Sequence, residues 1–447
     1  MTPMFAAKNF RTLSAPSLLF AARIGGAAAM FGAQILLARL TSTETLATYF
    51  LATSLVTVAG TVASLGYPYI VTAFLGRYHD GRHGAHARAF VGLSRLDGVL
   101  AGGALALVLA GGVLLYPGLS WGERIAFLAA LPAIPAIALS RTNGAVGRAR
   151  ALLATAYLPT IFWRPLSFLV LAAVAAVLFH LTDPVTFVAL FSLIAIASAL
   201  TQGRGLRRGD GEAAPADPRL SRLWRRAALP FIAISMAELL IVDIDLLLVG
   251  AVLPRSELAV FAVCIKLAFF AGFVVDVIYE LAAPELARCY ARRDEAAVQR
   301  NVAGANLAAS ACALAMVAGA AVLGHFALSV FGPDYVAGEA VLMTLIAVPA
   351  VNAFAGPHVA LLTLKGIQRR MAAAYAAGGA VLVALTLALS GPLGMLGAAL
   401  AVLAAYVTLN VMLAVMVWWT MGLRSDVFHA VRAAAAGKAP VIPRIAR

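Results

Sequence analysis

Long apolar runs alternate with short polar connections along almost the whole chain, and each run has roughly the 20 residues that a helix needs to cross a bilayer. The runs fall at 17–38, 46–72, 97–116, 122–140, 153–179, 185–202, 228–252, 258–283, 301–324, 337–362, 372–390 and 395–420. They predict an all-α, polytopic membrane protein with about twelve transmembrane helices. The first run, preceded by Lys8 and Arg11, is too long for the apolar core of a signal peptide and reads as a retained span.

The polar connections differ sharply from one side to the other. Arg77, Arg82, Arg88 and Arg95 follow the second run, and Arg141, Arg148 and Arg150 the fourth. Seven arginines follow the sixth, Arg204 to Arg226; Arg288, Arg292, Arg293 and Arg300 follow the eighth; Lys365, Arg369 and Arg370 follow the tenth. With Lys8 and Arg11 and the basic tail, 28 of the 34 Lys and Arg residues lie on one side, against Arg39, Arg124 and Arg255 on the other. The positive-inside rule makes the basic side cytoplasmic and places both termini there. A missed span would invert every later loop, so the alternation also supports an even number of crossings.

The longest connection, 203–226, combines Gly209, Gly211, Pro215 and Pro218 with arginines and reads as a cytoplasmic linker. It divides the chain into an N-terminal lobe of six helices at 1–202 and a C-terminal lobe of six at 227–420, with a basic cytoplasmic tail at 421–447. The halves echo each other. A shift of 212 residues places Leu46-Ala47 on Leu258-Ala259, Tyr78 on Tyr290 and Arg88 on Arg300; a shift of 222 places Gly144 on Gly366 and Arg148 on Arg370. Six spans repeated once keep their topology, which predicts parallel repeats related by an axis along the membrane normal.

Composition removes other classes. Hydrophobic residues make 62% of the 447 and charged residues only 12%, about half the share of a soluble domain. A net charge of +14 would suit a nucleic-acid binder, but its distribution is that of orientation signals, so no nucleic-acid partner is expected. Cys264, Cys289 and Cys312 have neither disulfide nor metal-ligand spacing, and His79, His83 and His86 share their loop with arginines; no metal site is read. No phosphate-binding glycine loop is present, and no extramembrane segment is large enough to hold a catalytic domain, so an enzyme is not expected. Trp418 and Trp419 read as an interfacial belt.

The candidate chemistry is the charge inside the spans, where an ionised group needs a partner or a cavity. The cations are Arg23, Arg164 and Lys266; the acids are Glu238, Asp243, Asp245, Asp276 and Glu280. Lys266, Asp276 and Glu280 fall within an arc of about 80° on one helix. Arg164 directly precedes Pro165, which opens the backbone ladder. Bland readings stay open beside the functional ones: Arg23 snorkelling to the interface, Lys266 locked to an acid, Asp243 and Asp245 capping a shortened span.

Leu37-Ala38-Arg39-Leu40, Leu46-Ala47-Thr48-Tyr49, Ser64-Leu65-Gly66-Tyr67, Gly147-Arg148, Arg164-Pro165, Leu229-Pro230 and Asp245 to Gly250 together resemble the polysaccharide flippases of the multidrug/oligosaccharidyl-lipid/polysaccharide (MOP) superfamily, including Wzx-type O-antigen and exopolysaccharide exporters. The resemblance runs from about residue 10 to 420. It implies a V-shaped two-lobe bundle that moves an undecaprenyl-pyrophosphate-linked oligosaccharide across the membrane by alternating access. In that reading Arg23, Arg164 and Lys266 meet the pyrophosphate or acidic sugars. Glu238, Asp245, Asp276 and Glu280 either couple transport to H⁺ or Na⁺ or only balance charge, and no other cofactor is implied. Polysaccharide polymerase and assembly proteins would be neighbours. Two alternatives stand beside it: an H⁺- or Na⁺-coupled multidrug exporter of the same superfamily, and a non-transport scaffold for polysaccharide assembly.

Overall fold

The computed structural model describes residues 6–78, 84–207, 217–242 and 244–435. His79, Arg82, His83, the linker stretch 208–216, Asp243 and the tail beyond Ala435 lie outside the described residues, as do the side chains of Lys8, Arg11 and Glu238. All regular structure among the described residues is helical, as backbone in hydrocarbon demands, since a helix satisfies its own N–H and C=O groups without water. The chain forms two compact units, Met1–Met236 and Ala237–Arg447.

The first unit begins with α1 (Ala6–Leu40), α2 (Thr43–Ala63), α3 (Tyr67–Arg77), α4 (Gly84–Leu115), α5 (Trp121–Ala130) and α6 (Ala133–Ala149). It continues with α7 (Leu153–Leu158), a π-helical turn at Pro159–Trp163, α8 (Arg164–Ala173), a second π-turn at Val174–Leu178 and α9 (Pro184–Arg207). The polar residues of α2 cost little in the membrane because Thr53, Thr57 and Thr61 each donate to the carbonyl four residues back, at 2.7–2.8 Å. Between α2 and α3 the chain turns through Gly66 at φ +73°, where a Cβ would lie 2.6 Å from the Ala228 carbonyl oxygen, so glycine serves both the left-handed backbone and the close approach.

α10 (Pro218–Val242) carries the chain from the first unit into the second. Its amino-terminal part packs with the first unit because Trp224 is fully buried among Phe74, Phe90, Val146 and Leu206 and donates its indole N–H to the Tyr78 hydroxyl at 3.0 Å. The unit boundary therefore falls inside α10, after the expected linker.

The second unit contains α11 (Asp245–Val252), α12 (Arg255–Ala291), α13 (Glu295–Ser329), a 3₁₀ turn at Pro333–Gly338, α14 (Glu339–Ala355), α15 (His358–Lys365), α16 (Gln368–Met421) and α17 (Val427–Ala435). Ten helical stretches among the described residues are long and apolar enough to cross a membrane. One of them, Arg369–Met421, holds two expected spans: 53 residues would extend about 80 Å if straight, and the chain instead reverses at Pro392 and Gly394, whose φ is 56° and ψ −139°. The reversal brings Gly397 against the Leu389 carbonyl. The seventh expected span, 228–252, is divided between α10, which ends at Val242, and α11. Ile244 N–H bonds the Leu239 carbonyl five residues back, and Asp245 begins α11.

Candidate functional site

Each unit gathers its own set of charged and polar side chains inside the spans, and the two sets differ in sign. In the first unit the fifth span supplies the cation. Pro165 has no N–H to give to the Ile161 carbonyl one turn back, and the chain relaxes into a π-turn in which the Arg164 N–H bonds the Pro159 carbonyl instead. Ser198 Oγ donates to the same Pro159 oxygen at 2.6 Å.

The freed Ile161 carbonyl then receives α1. A Cβ placed on Gly26 would lie 1.8 Å from that oxygen, and one on Gly25 would meet the Phe162 ring at 3.1 Å. The glycine pair thus lets two backbones touch where the ladder is broken, and α1 packs along the π-turn and α8. Arg23, half-buried, lies one turn before Gly26 on that helix. The structure thereby brings the Arg23 and Arg164 segments onto adjoining elements.

The Arg164 guanidinium rests over the Phe191 ring with Cζ 4.5 Å from the centroid. Phe191 stands edge-on to Tyr49 at 6.5 Å, and Tyr49 stacks on Phe168 at 5.5 Å. An aromatic face attracts a cation without cancelling its charge. Among the described residues no carboxylate pairs with Arg164. The aromatic wall orients the guanidinium.

Asp97, an acid at the start of the third run that charge counting passed over, is fully engaged. Its two oxygens accept from Arg225 Nε and Nη2, both at 2.8 Å, and Oδ2 also accepts the Tyr67 hydroxyl at 2.6 Å. Hydrogen bonding to this carboxylate pushes the Arg225 guanidinium further up from its ordinary range. Arg225, read from sequence as an orientation charge, thus clamps α10 to α3 and α4. The signal that could have found the clamp is a lone acid at the start of an otherwise uncharged span.

In the second unit Asp276 and Glu280 border a cavity of about 600 Å³ together with Asn352, His358, Tyr406 and Asn410. The cavity follows from a helix break. α14 ends at Ala355, the chain passes through Gly356 at φ +106° and Pro357, and α15 starts at His358. The last carbonyls of α14 lose their intrahelical donors. Tyr279 Oη donates to the Ala353 carbonyl at 2.8 Å, and Asn306 Nδ2 donates to the Ala353 and Phe354 carbonyls at 3.0 and 3.3 Å. Asn410 Nδ2 donates to Asn352 Oδ1 at 2.6 Å. His358 is 2% exposed, and neither ring nitrogen has a hydrogen-bond partner among the described residues.

Asp276 and Glu280 are four residues apart on α12 and so share a face. Lys266 shares their arc but not their place. Ten residues of helical rise put it about 15 Å from Asp276, and it is half-buried away from the cavity lining. Asp245 is buried at the first position of α11, where its carboxylate accepts the Leu246 N–H at 2.8 Å, the arrangement of a helix start. Glu238 lies on α10 with its side chain outside the described residues. Sequence reasoning missed the neutral polar residues around the cavity; the signals were Asn306, Asn352 and Asn410 in apolar runs and a histidine directly after Gly-Pro.

No protein-family model matches the chain, and no curated protein matches its sequence. Solved structures do match. A multidrug resistance MATE family transporter of the MOP superfamily, in an inward-facing conformation, aligns over 92% of this chain and 95% of its own with a TM-score of 0.70 and 12% identity. The lipid II flippase MurJ, inward closed, aligns over 90% of this chain and 87% of its own with a TM-score of 0.73 and 13% identity. A MOP superfamily transporter from Pyrococcus furiosus, described as having a binding pocket of reversed polarity, aligns over 93% and 96% with a TM-score of 0.58 and 12% identity. The chain has the fold of these membrane transporters.

Proposed function

We propose that the protein is a flippase that carries a polyprenyl-pyrophosphate-linked oligosaccharide from the cytoplasmic to the outer leaflet of a bacterial inner membrane, by alternating access, for polysaccharide biosynthesis. The observation that carries this reading is Arg164: a cation held on an aromatic wall inside a span, with no carboxylate paired to it among the described residues. Such a group stabilises an anionic pyrophosphate or an acidic sugar during passage, while the polyprenyl chain stays in lipid. Arg23, on the helix that packs against the same turn, adds to the positive potential. Asp276 and Glu280, with the cavity they border, serve to take up the coupling H⁺ or Na⁺. The fold shared with a lipid II flippase is consistent with a lipid-linked substrate.

A second reading, a cation-coupled multidrug exporter, draws on the same acidic cavity and on the fold shared with a multidrug transporter. One experiment separates them. In a strain that depends on this protein for polysaccharide export, Arg164→Ala is expected to stop export and accumulate the lipid-linked repeat unit, with Arg164→Lys restoring part of it. Normal export with Arg164→Ala overturns the assigned role. Sensitivity to cationic drugs on deletion, without accumulation of any lipid-linked sugar, selects the exporter.

A further inference from the structure

The last helix, α17, carries its apolar residues on the wrong side for a helix in water. Ala430 is buried against the unit, whereas Phe428 is 75% and Val431 52% exposed, with exposed Arg432 beside them. At 100° per residue these three occupy an arc of about 100°, roughly opposite Ala430. The outward face of α17 is thus an aromatic and a branched aliphatic side chain edged by a guanidinium.

Its position is set by bonds on both flanks. α16 ends at Gly422, and the strap to α17 is tied down where Gln299 exchanges two hydrogen bonds with the Arg424 backbone, at 2.6 and 3.3 Å, and Asn306 Nδ2 donates to the Ser425 carbonyl at 2.9 Å. Asp426 caps α17 by accepting the His429 N–H at 2.9 Å. The helix starts eight residues after the exposed Trp418–Trp419 pair at the end of the last span, where tryptophans mark the boundary between headgroups and acyl chains.

Apart from the capping Asp426, the charged residues of this segment are basic. Arg424 is exposed just before the helix, and from Val427 to the final residue the sequence contains Arg432, Lys438, Arg444 and Arg447 and no acid, with Val441, Ile442 and Ile445 set between the basic residues. An apolar face edged by cations at the depth of an aromatic belt complements an anionic leaflet surface.

We propose that α17 is an anionic-phospholipid-binding helix, with Phe428 and Val431 in the acyl boundary and Arg424 and Arg432 on lipid phosphates. The leaflet is the one on the side of the arginine-rich loops. Because the strap is bonded to Asn306, which also holds the α14 carbonyls at the helix break, lipid engagement fixes one border of that break.

The test uses the full chain in nanodiscs of phosphatidylcholine, with and without phosphatidylglycerol. An NBD dye is attached at Phe428→Cys, or at Val431→Cys, in a background carrying Cys264→Ala, Cys289→Ala and Cys312→Ala. Phosphatidylglycerol is expected to shield the dye from acrylamide and expose it to doxyl-labelled lipid, and Arg432→Gln to weaken that equilibrium about fivefold. The unlabelled native chain gives an independent reading: amide exchange across 427–435 should slow when phosphatidylglycerol is present. Equal acrylamide access and equal exchange in both lipids overturn the proposal. So does shielding without doxyl quenching accompanied by cross-linking between copies at position 428, which would make the occupant a second chain.

Discussion

The two units solve the problem of charge in a membrane in opposite ways. The first holds a guanidinium on Phe191 with no carboxylate paired to it among the described residues, while the acid Asp97 is taken up by Arg225 and Tyr67. The second places two carboxylates on one helix face beside a cavity whose other polar groups are amides, phenols and a histidine. A helix break underlies both. In the first unit a proline displaces a hydrogen bond and another helix fills the gap by backbone contact at Gly26; in the second, side-chain amides cover the exposed carbonyls and space remains. A break closed by backbone fixes a charge in place. A break closed by side chains leaves a cavity.

Substitutions that exchange these solutions should show the difference, beginning where the packing is tightest. Gly26→Ala puts a methyl into the Ile161 carbonyl and should cost about 1–3 kcal/mol or more, read as a lowered thermal transition in detergent. Gly338→Ala in the second unit meets only the Val260 and Cys264 side chains, which can move, and should cost less. Equal shifts would mean that the backbone contact at Gly26 is not special.

The clamp comes next. Asp97→Asn keeps an acceptor for Tyr67 but loses the charge that holds Arg225, and a loss of about 1–2 kcal/mol is expected, tempered by the exposure of the arginine. A double-mutant cycle with Arg225→Gln isolates the pair; a coupling near zero would reduce Arg225 to an orientation charge.

The smallest effect is expected at Asn410→Ala, which removes the Nδ2 bonds to Asn352 Oδ1 and the Tyr406 carbonyl beside a cavity that can admit water, at about 0.5–1.5 kcal/mol. Its thermal shift should stay below that of Gly26→Ala. A larger one would show that the amide cluster, not the glycine contact, is the stiffer of the two.

Much of the architecture was legible in the chain because run length and the lopsided arginines report spans directly, and the reversal inside α16 falls at Pro392 and Gly394, between the last two expected runs. Arg164 was legible for the same reason that makes it costly: a cation in an apolar run beside proline. The interruption before Asp245 was legible only in part: the acids at 243 and 245 offered a cap for a shortened span, but hydropathy merged α10 and α11 into one run. The Asp97–Arg225 pair was not legible, because its partners are 128 residues apart and a charge census assigns each arginine to a loop. Shared helical angle misled at Lys266, which lies on the arc of Asp276 and Glu280 but about 15 Å along the axis. The asparagines and His358 escaped notice because a search for ionised groups passes over neutral ones.

The reversal within α16 bears on how the chain is made. Gly397 sits against the Leu389 carbonyl, leaving no loop between the last two crossings. A turn that tight offers no hydrophilic stretch at which insertion could pause with one crossing in place. The last two expected runs thus form one tight helical hairpin, and a tag placed between them is expected to split that hairpin rather than decorate a surface.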